Sequence, residues 1–331
     1  MNDNDILHII TTEDQSEIES ILEQARKVRE THYGKSVFIR GLIEFTNYCK
    51  NDCYYCGIRF SNSNLERYRL SPEEILDCCR AGDKYGIKTF VLQGGEDPYF
   101  TGNKIAEIVS AIRHEFPNHA ITLSAGERSL SDYELFSLKG ANRYLLRHET
   151  ASEEHYKKLH PHYMKLTDRK QCLFNLKKIG WQTGAGFMVG SPFQKPEYLL
   201  EDIRFLEQLQ PQMVGIGPFI PQKDTPFGKK PAGSIQLCLK MLALVRILLP
   251  KALLPATTAM ETIAPNGWEL ALKAGANVIM PNLSPLSAKK LYAIYDNKAS
   301  FSPEIEENIS LIKGKIIAAG FMPDMSRGDA V

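Results

Sequence analysis

The chain has 331 residues, of which 43% are hydrophobic and 24% charged, which is the composition of an ordinary globular protein and enough chain for one large domain. Lys and Arg number 40 against 39 Asp and Glu, a net charge of +1, so no electrostatic case exists for nucleic acid or an anionic membrane as partner. The longest apolar runs, such as Met241 to Leu249, fall well short of the roughly 20 residues that span a bilayer, and the acidic N-terminus lacks a secretory signal. A cytoplasmic location is expected.

In chain order, the first 36 residues read as a helical extension, with Ile18, Ile21, Leu22, Ala25 and Val28 at helical spacing. Strand candidates follow at Val37–Thr46, Lys88–Gln93, Ala120–Ser124, Asn142–His148, Gln182–Val189, Met213–Pro218, Leu253–Thr258 and Ala276–Met280. Helix candidates lie between them near 72–85, 103–115, 131–139, 167–179, 197–209, 234–249 and 266–274, with a last one near 303–319. Ser71-Pro72-Glu73-Glu74 supplies an N-cap, a first-turn proline and acidic residues. Gly86, Gly140, Gly180 and Gly275 stand where helices end before strands begin. Eight strand–helix units over residues 37–331 predict a complete (β/α)8 TIM-type barrel in the α/β class. A doubly wound open sheet is the competing arrangement.

Seven cysteines, an odd number, do not form a disulfide framework. Cys78, Cys79, Cys172 and Cys238 fall in predicted helices. Cys49, Cys53 and Cys56 are different: they form a C-x3-C-x2-C triplet directly after the first strand, at the end where barrels carry active sites. A closed zinc site needs four protein ligands, and no fourth Cys or His stands nearby at a suitable spacing. Three thiolates can hold three irons of a four-iron cluster and leave the fourth open. An open iron is what the amino and carboxylate groups of a bidentate amino acid need, such as the methionine end of S-adenosylmethionine (SAM). Radical SAM chemistry is therefore the expected function.

Other strand ends extend the site. Gln93-Gly94-Gly95-Glu96-Asp97 offers close backbone approach at two glycines and an acidic group for an ammonium. Arg143, Leu145, Arg147 and Glu149 alternate onto one face of the fourth strand. Arg143 and Glu149 are then either internal ion-pair partners or ligand-facing charges, while Arg147, nearer the strand end, suits a carboxylate. Thr122, Ser124, Gly184 to Gly186, Gly215 to Gly217, Thr257 and Thr258 describe a cavity lined by glycine and hydroxyl groups. His148 is expected on the outer strand face, and His160 and His162 on surface loops.

The phrases "RGLIEFTNYCKNDCYYCGIR", "NLERYRLSPEEI", "VLQGGEDPY", "RYLLRHETA", "TGAGFMVG", "MVGIGPFIPQKDTP", "LLPATTAMETI" and "GANVIMPN" closely resemble the HydE family of radical SAM maturation proteins of iron–iron hydrogenases, from about Gly34 to beyond Tyr295. Biotin synthase and methylornithine synthase are relatives sharing barrel and cluster. The resemblance implies that Cys49, Cys53 and Cys56 ligate the SAM-binding cluster. It places Tyr55, Gly94, Gly95, Glu96, Ser124, Glu149, Arg169 and Met188 around SAM, with Arg169 at its carboxylate. It places Arg147, Thr122, Thr257, Thr258 and Tyr292, and Tyr295 beside them, at the substrate end. It further implies a 5′-deoxyadenosyl radical acting at sulfur of an iron–cysteine precursor with carbonyl and cyanide ligands. Other hydrogenase maturation proteins are implied as partners, and reduced ferredoxin or flavodoxin as electron donor. Some members carry extra C-terminal cysteines; here none follows Cys238, so one 4Fe-4S cluster is expected. A biotin-synthase-like or methylornithine-synthase-like enzyme, or a non-catalytic iron–sulfur scaffold or electron carrier, are the alternatives.

Overall fold

The computed structural model describes residues 1–299 and 304–330. Two helices, α1 (Asp3–Thr11) and α2 (Gln15–Tyr33), precede the first strand. The chain then runs β1 (Ser36–Ile39), β2 (Gly41–Thr46), α3 (Pro72–Lys84), β3 (Thr89–Gly94), α4 (Gly102–Glu115), β4 (Ala120–Ser124), α5 (Leu130–Leu138) and β5 (Arg143–Leu145). After these come α6 (Glu153–Leu159), α7 (Leu166–Lys178), β6 (Gln182–Val189), α8 (Pro196–Leu209), β7 (Met213–Pro218) and α9 (Ile235–Leu248). The last elements are α10 (Thr258–Ile263), α11 (Gly267–Lys273), β8 (Val278–Ile279), α12 (Leu286–Leu291), α13 (Ile305–Ala318) and β9 (Met322–Asp324). The expected start of the last helix at 303 lies outside the described residues.

Local chemistry explains the boundaries. The Ser71 hydroxyl accepts from the Glu74 amide while the Glu74 carboxylate accepts from the Ser71 amide, a reciprocal cap that starts α3. Gly86, Gly140, Gly180 and Gly275 all hold positive φ just past helices, as the sequence anticipates.

Strands β2 to β7 form one parallel sheet in sequence order. The expected first strand, Val37–Thr46, is interrupted at Arg40 but keeps one register: Phe38, Ile39 and Leu42 lie opposite Val278, Ile279 and Asn282. The other side of the ring closes through single bridges, Met213 to Leu253 and Pro255 to Val278, rather than through a regular strand at Leu253–Thr258. Pro255 cannot donate a ladder hydrogen bond and α10 begins at Thr258, which leaves that strand no length to develop. Outward side chains such as Ile43, Phe45, Phe90, Leu92, Tyr144 and Phe187 are buried against the helical layer. Each contributes about 1.5–3 kcal/mol of burial. β9, which sequence patterning did not reveal, pairs with β1 beneath the barrel.

Candidate functional site

The triplet lies on the long connection from β2 to α3, and its shape is set by polar tethers. Arg67 donates to the carbonyls of Asn47, Ile58, Arg59 and Asn62, at 2.6, 2.8, 2.6 and 3.1 Å. The Asn47 amide donates to the Glu66 and Leu291 carbonyls and its oxygen accepts from the Tyr68 amide. Asp52 pairs with Arg59 at 2.6 Å.

Cys49, Cys53 and Cys56 are free and partly exposed on this loop. Burial pushes all three thiols up, Cys56 to about 12; repulsion from neighbouring cysteines adds to this at Cys53 and Cys56, and the Glu96 carboxylate adds to it at Cys49. Such a set becomes thiolate when a cationic centre offsets the repulsion, which is the donor chemistry an iron–sulfur cluster uses. Among the described residues no three Cys, His, Asp or Glu side chains converge on a point fit for one metal ion. The corners of a four-iron cube are separate, so its ligands need not converge.

Beside the loop, Gly95 sits so close that a Cβ there would lie 2.1 Å from the Tyr48 carbonyl oxygen and 2.8 Å from Cys49 Cβ. Only glycine fits. Gly94 ends β3, and Ser124 ends β4 opposite Gln93. Glu96 is buried, and its carboxylate is already committed: to Lys50 at 2.6 Å, to the Asn51 amide at 3.0 Å and to the Glu127 N–H at 3.0 Å. It ties the cysteine loop to the β4–α5 turn.

Across the mouth, Arg147 forms an ion pair with Glu149 at 3.1 Å and donates to the Phe187 carbonyl at 2.9 Å. The Arg143–Glu149 pairing is not formed. Arg143 is at the opposite end of the barrel, where it binds Asp329 at 2.6 Å and the Arg327 carbonyl, so it does not reach the Glu149 that Arg147 pairs with. Glu149 has φ of 67°, a left-handed backbone that costs a non-glycine residue about 1–3 kcal/mol. Backbone hydrogen bonds to Gly186 and from Met188 hold it.

Arg169, near the start of α7, is buried, paired with Glu127 at 2.6 Å and within 3.3 Å of the Arg147 carbonyl. Met188 packs in a small cluster with Leu159, Phe219 and Phe227, against which Tyr55 rests. His148 is on the outer face as expected, buried beside Asp202 at 3.1 Å. His162 is exposed, but His160 is not on the surface: it is buried, stacked on Tyr156 and bonded to Tyr55 at 3.1 Å. The Tyr156 carbonyl can only accept, so Nδ1 of His160 carries the proton and Nε2 accepts from the Tyr55 hydroxyl. Its short helix, α6, was not legible in the sequence.

The polar end carries unsatisfied groups. Among the described residues, Thr122 Oγ1, Arg147 Nε and Thr257 Oγ1 are all buried without a hydrogen-bond partner. Thr257 caps α10, and Thr258 is its first residue. Tyr292, buried at the end of α12, accepts from the Gln93 amide at 3.4 Å, and Tyr295 follows on the next turn of chain. Thr258, Asn282, Tyr292 and Tyr295 line a cavity of about 430 Å3. The structure thus brings Tyr55, Gly95 and Arg169 beside the cysteine loop and Thr258, Tyr292 and Tyr295 around one cavity, whereas Thr122 lies lower in the barrel, paired in register with Arg143. Sequence reasoning missed Arg67, Glu127, Glu44 and Lys298; three are lone charges in irregular segments and Glu44 is a lone charge within β2, so only their contacts reveal them.

A family model of the Radical SAM superfamily matches residues 43–206. The FeFe hydrogenase maturase subunit HydE of Thermotoga maritima is 48% identical over 280 residues, covering 85% of this chain and 80% of that protein. The chain belongs to the HydE family of radical SAM enzymes. A HydE-family chain remains near to its relatives: 3-methylornithine synthase of Methanosarcina acetivorans is 31% identical over 322 residues, 96% of this chain and 87% of that one. The solved structure of methylornithine synthase (PylB) superposes with a TM-score of 0.85 at 28% identity, covering 98% of this chain and 94% of that one. The radical SAM superfamily implies a 4Fe-4S cluster and SAM, and the thiol set of this HydE-family loop fits that demand. None of its helices, among the described residues, is long and apolar enough to cross a membrane.

Proposed function

We propose that this chain takes part in assembling the diiron site of an iron–iron hydrogenase. It would do so by radical SAM chemistry at sulfur of an iron–cysteine precursor bearing carbonyl and cyanide ligands. The observation that carries the reading is 48% identity to HydE; it is supported by barrel-interior donors at Thr122, Arg147 and Thr257 that have no hydrogen-bond partner among the described residues and so suit an anionic precursor. When bound, the cluster and SAM supply reductive cleavage of SAM to methionine and a 5′-deoxyadenosyl radical.

The chain's own residues bind, orient and exclude water. Cys49, Cys53 and Cys56 hold three irons. The other cysteines are dispersed over α3, α7 and α9, which supports a single cluster. Arg169, steadied by Glu127, presents a guanidinium to the SAM carboxylate. Gly94 and Gly95 let the backbone approach the amino group, with Glu96 acting by fixing the cysteine loop. Tyr55, braced by His160, together with Ser124, Glu149 and Met188, encloses the nucleoside. Arg147, Thr122, Thr257, Thr258, Tyr292 and Tyr295 receive the precursor. Reduced ferredoxin or flavodoxin supplies the electron, other maturation proteins supply and take the organometallic cargo, and the reaction is cytoplasmic.

The test is anaerobic. The reconstituted protein, given SAM and dithionite, should release 5′-deoxyadenosine, and added to a hydrogenase maturation mixture lacking HydE it should restore hydrogenase activity. Cleavage without restoration would favour the methylornithine-synthase-like reading, which the 31% identity to that enzyme motivates. An intact cluster with no cleavage would leave a scaffold or electron carrier.

A further inference from the structure

Glu44 is an inward-facing carboxylate on β2 with none of its surface exposed. A buried carboxylate is costly unless paired. Its oxygens are held by the Asn282 amide at 2.7 Å and by the Lys298 ammonium in close contact. Lys298 comes from residues 293–299, which follow α12 and have no regular secondary structure. None of these seven residues is fully buried, whereas the Glu44 and Tyr292 they cover are.

The segment crosses the barrel mouth on polar tethers. The Ile294 carbonyl accepts from Gly57 N–H at 2.9 Å, in the cysteine loop. Asp296 binds the Pro221 carbonyl and the Lys223 amide, and the Ala299 amide donates to Thr262 of α10. The Lys298 ammonium lies 5.0 Å from the centre of the Tyr292 ring. The segment, through Ala293 and Tyr295 to Ala299, forms one wall of the 430 Å3 cavity that also meets Thr258, Tyr292 and the outer helices α11 to α13. A stretch with no regular secondary structure and no fully buried side chain is the kind that opens locally while the barrel stays folded.

We propose that Lys298 is a positioning residue, whose ion pair with Glu44 latches residues 293–299 over the barrel mouth and closes the polar end around Tyr292 and Tyr295. The pairing is directional: the fixed partner is deep in the barrel and the mobile one is on the strap, so breaking it frees the strap and leaves the strand in place. The proposal rests on the site reading above only for what passes through the mouth; the latch itself is testable without turnover.

Hydrogen–deuterium exchange on the full, anaerobically reconstituted chain decides it. In Lys298→Met, amides of 293–299 should exchange at least tenfold faster, with exchange in β2 to β7 unchanged. Lys298→Arg should restore slow exchange, because the guanidinium can still reach Glu44. In the same variants the release rate of bound SAM should rise in Met and return in Arg. Unchanged exchange at 293–299 in Lys298→Met overturns the latch. Faster exchange spread evenly over the barrel, or Lys298→Arg behaving as Lys298→Met, overturns it too, since either makes Lys298 a packing residue. Should Lys298→Met not fold, Glu44→Gln read by the same exchange keeps the decision open to the same two results.

Discussion

Replacing Arg67 with Met tests whether the shape of the cysteine loop, rather than the cysteines alone, determines cluster binding. Met retains most of the stem volume and removes four hydrogen bonds to the carbonyls of residues 47, 58, 59 and 62. A hydrogen bond to a charged donor is worth about 1.5–3 kcal/mol. Arg67 is half-buried and the freed carbonyls can rehydrate in part, so about 0.5–1 kcal/mol each is the appropriate scale, or about 2–4 kcal/mol for the set. All four bonds act on the loop and none on the barrel strands, so the loss falls on loop closure. At about 1.4 kcal/mol per factor of ten, the cluster should be held about 30- to 1,000-fold less tightly. The assay is the rate at which an iron chelator strips the anaerobically reconstituted protein, with iron and sulfide per chain before and after. Thermal melting of the apoprotein serves as control for the barrel. An unchanged stripping rate at an unchanged melting temperature would refute the idea that Arg67 shapes the loop.

Gly95→Ala should lower iron incorporation by tenfold or more, because its Cβ would collide with the Tyr48 carbonyl and Cys49 Cβ; full iron content in that variant would show that the loop can move aside. Arg147→Lys should retain the cluster and 5′-deoxyadenosine release while precursor use drops at least tenfold, since an ammonium does not reproduce the guanidinium fork. Normal precursor turnover would remove Arg147 from the anion site. Burial, and then the charge of Arg169, lowers His160 to about 3, whereas the unfolded chain protonates it near 6.5. Between those values the unfolded state binds the extra proton, so stability should fall as pH drops below about 6.5, by up to about 1.4 kcal/mol per pH unit from this residue. Denaturant titrations at pH 7 and pH 5 should show that loss, and His160→Gln should flatten it; an identical slope in the variant would assign the acid sensitivity elsewhere. Glu127→Gln should weaken SAM binding by freeing Arg169 from its partner at 2.6 Å, measured by equilibrium binding, and an unaltered affinity would make the pair purely structural.

Periodicity and punctuation were enough to read the parallel barrel from the sequence, because helix caps and C-terminal glycines are local and each strand's burial is written in its own residues. The C-x3-C-x2-C triplet was equally plain, since ligand spacing within eight residues survives without any fold. What neighbours a residue across the barrel is another matter. Arg143 and Arg147 share one strand face, yet one meets Asp329 beneath the barrel and the other Glu149 at the mouth. His160 reads as a loop residue and is buried against Tyr55, while Glu44 and Lys298 meet across 254 positions of chain. Residue type and local spacing determined which chemistry this protein carries. Only the closed barrel decided which charges pair, because those partners are set by long-range packing that no short stretch of sequence encodes.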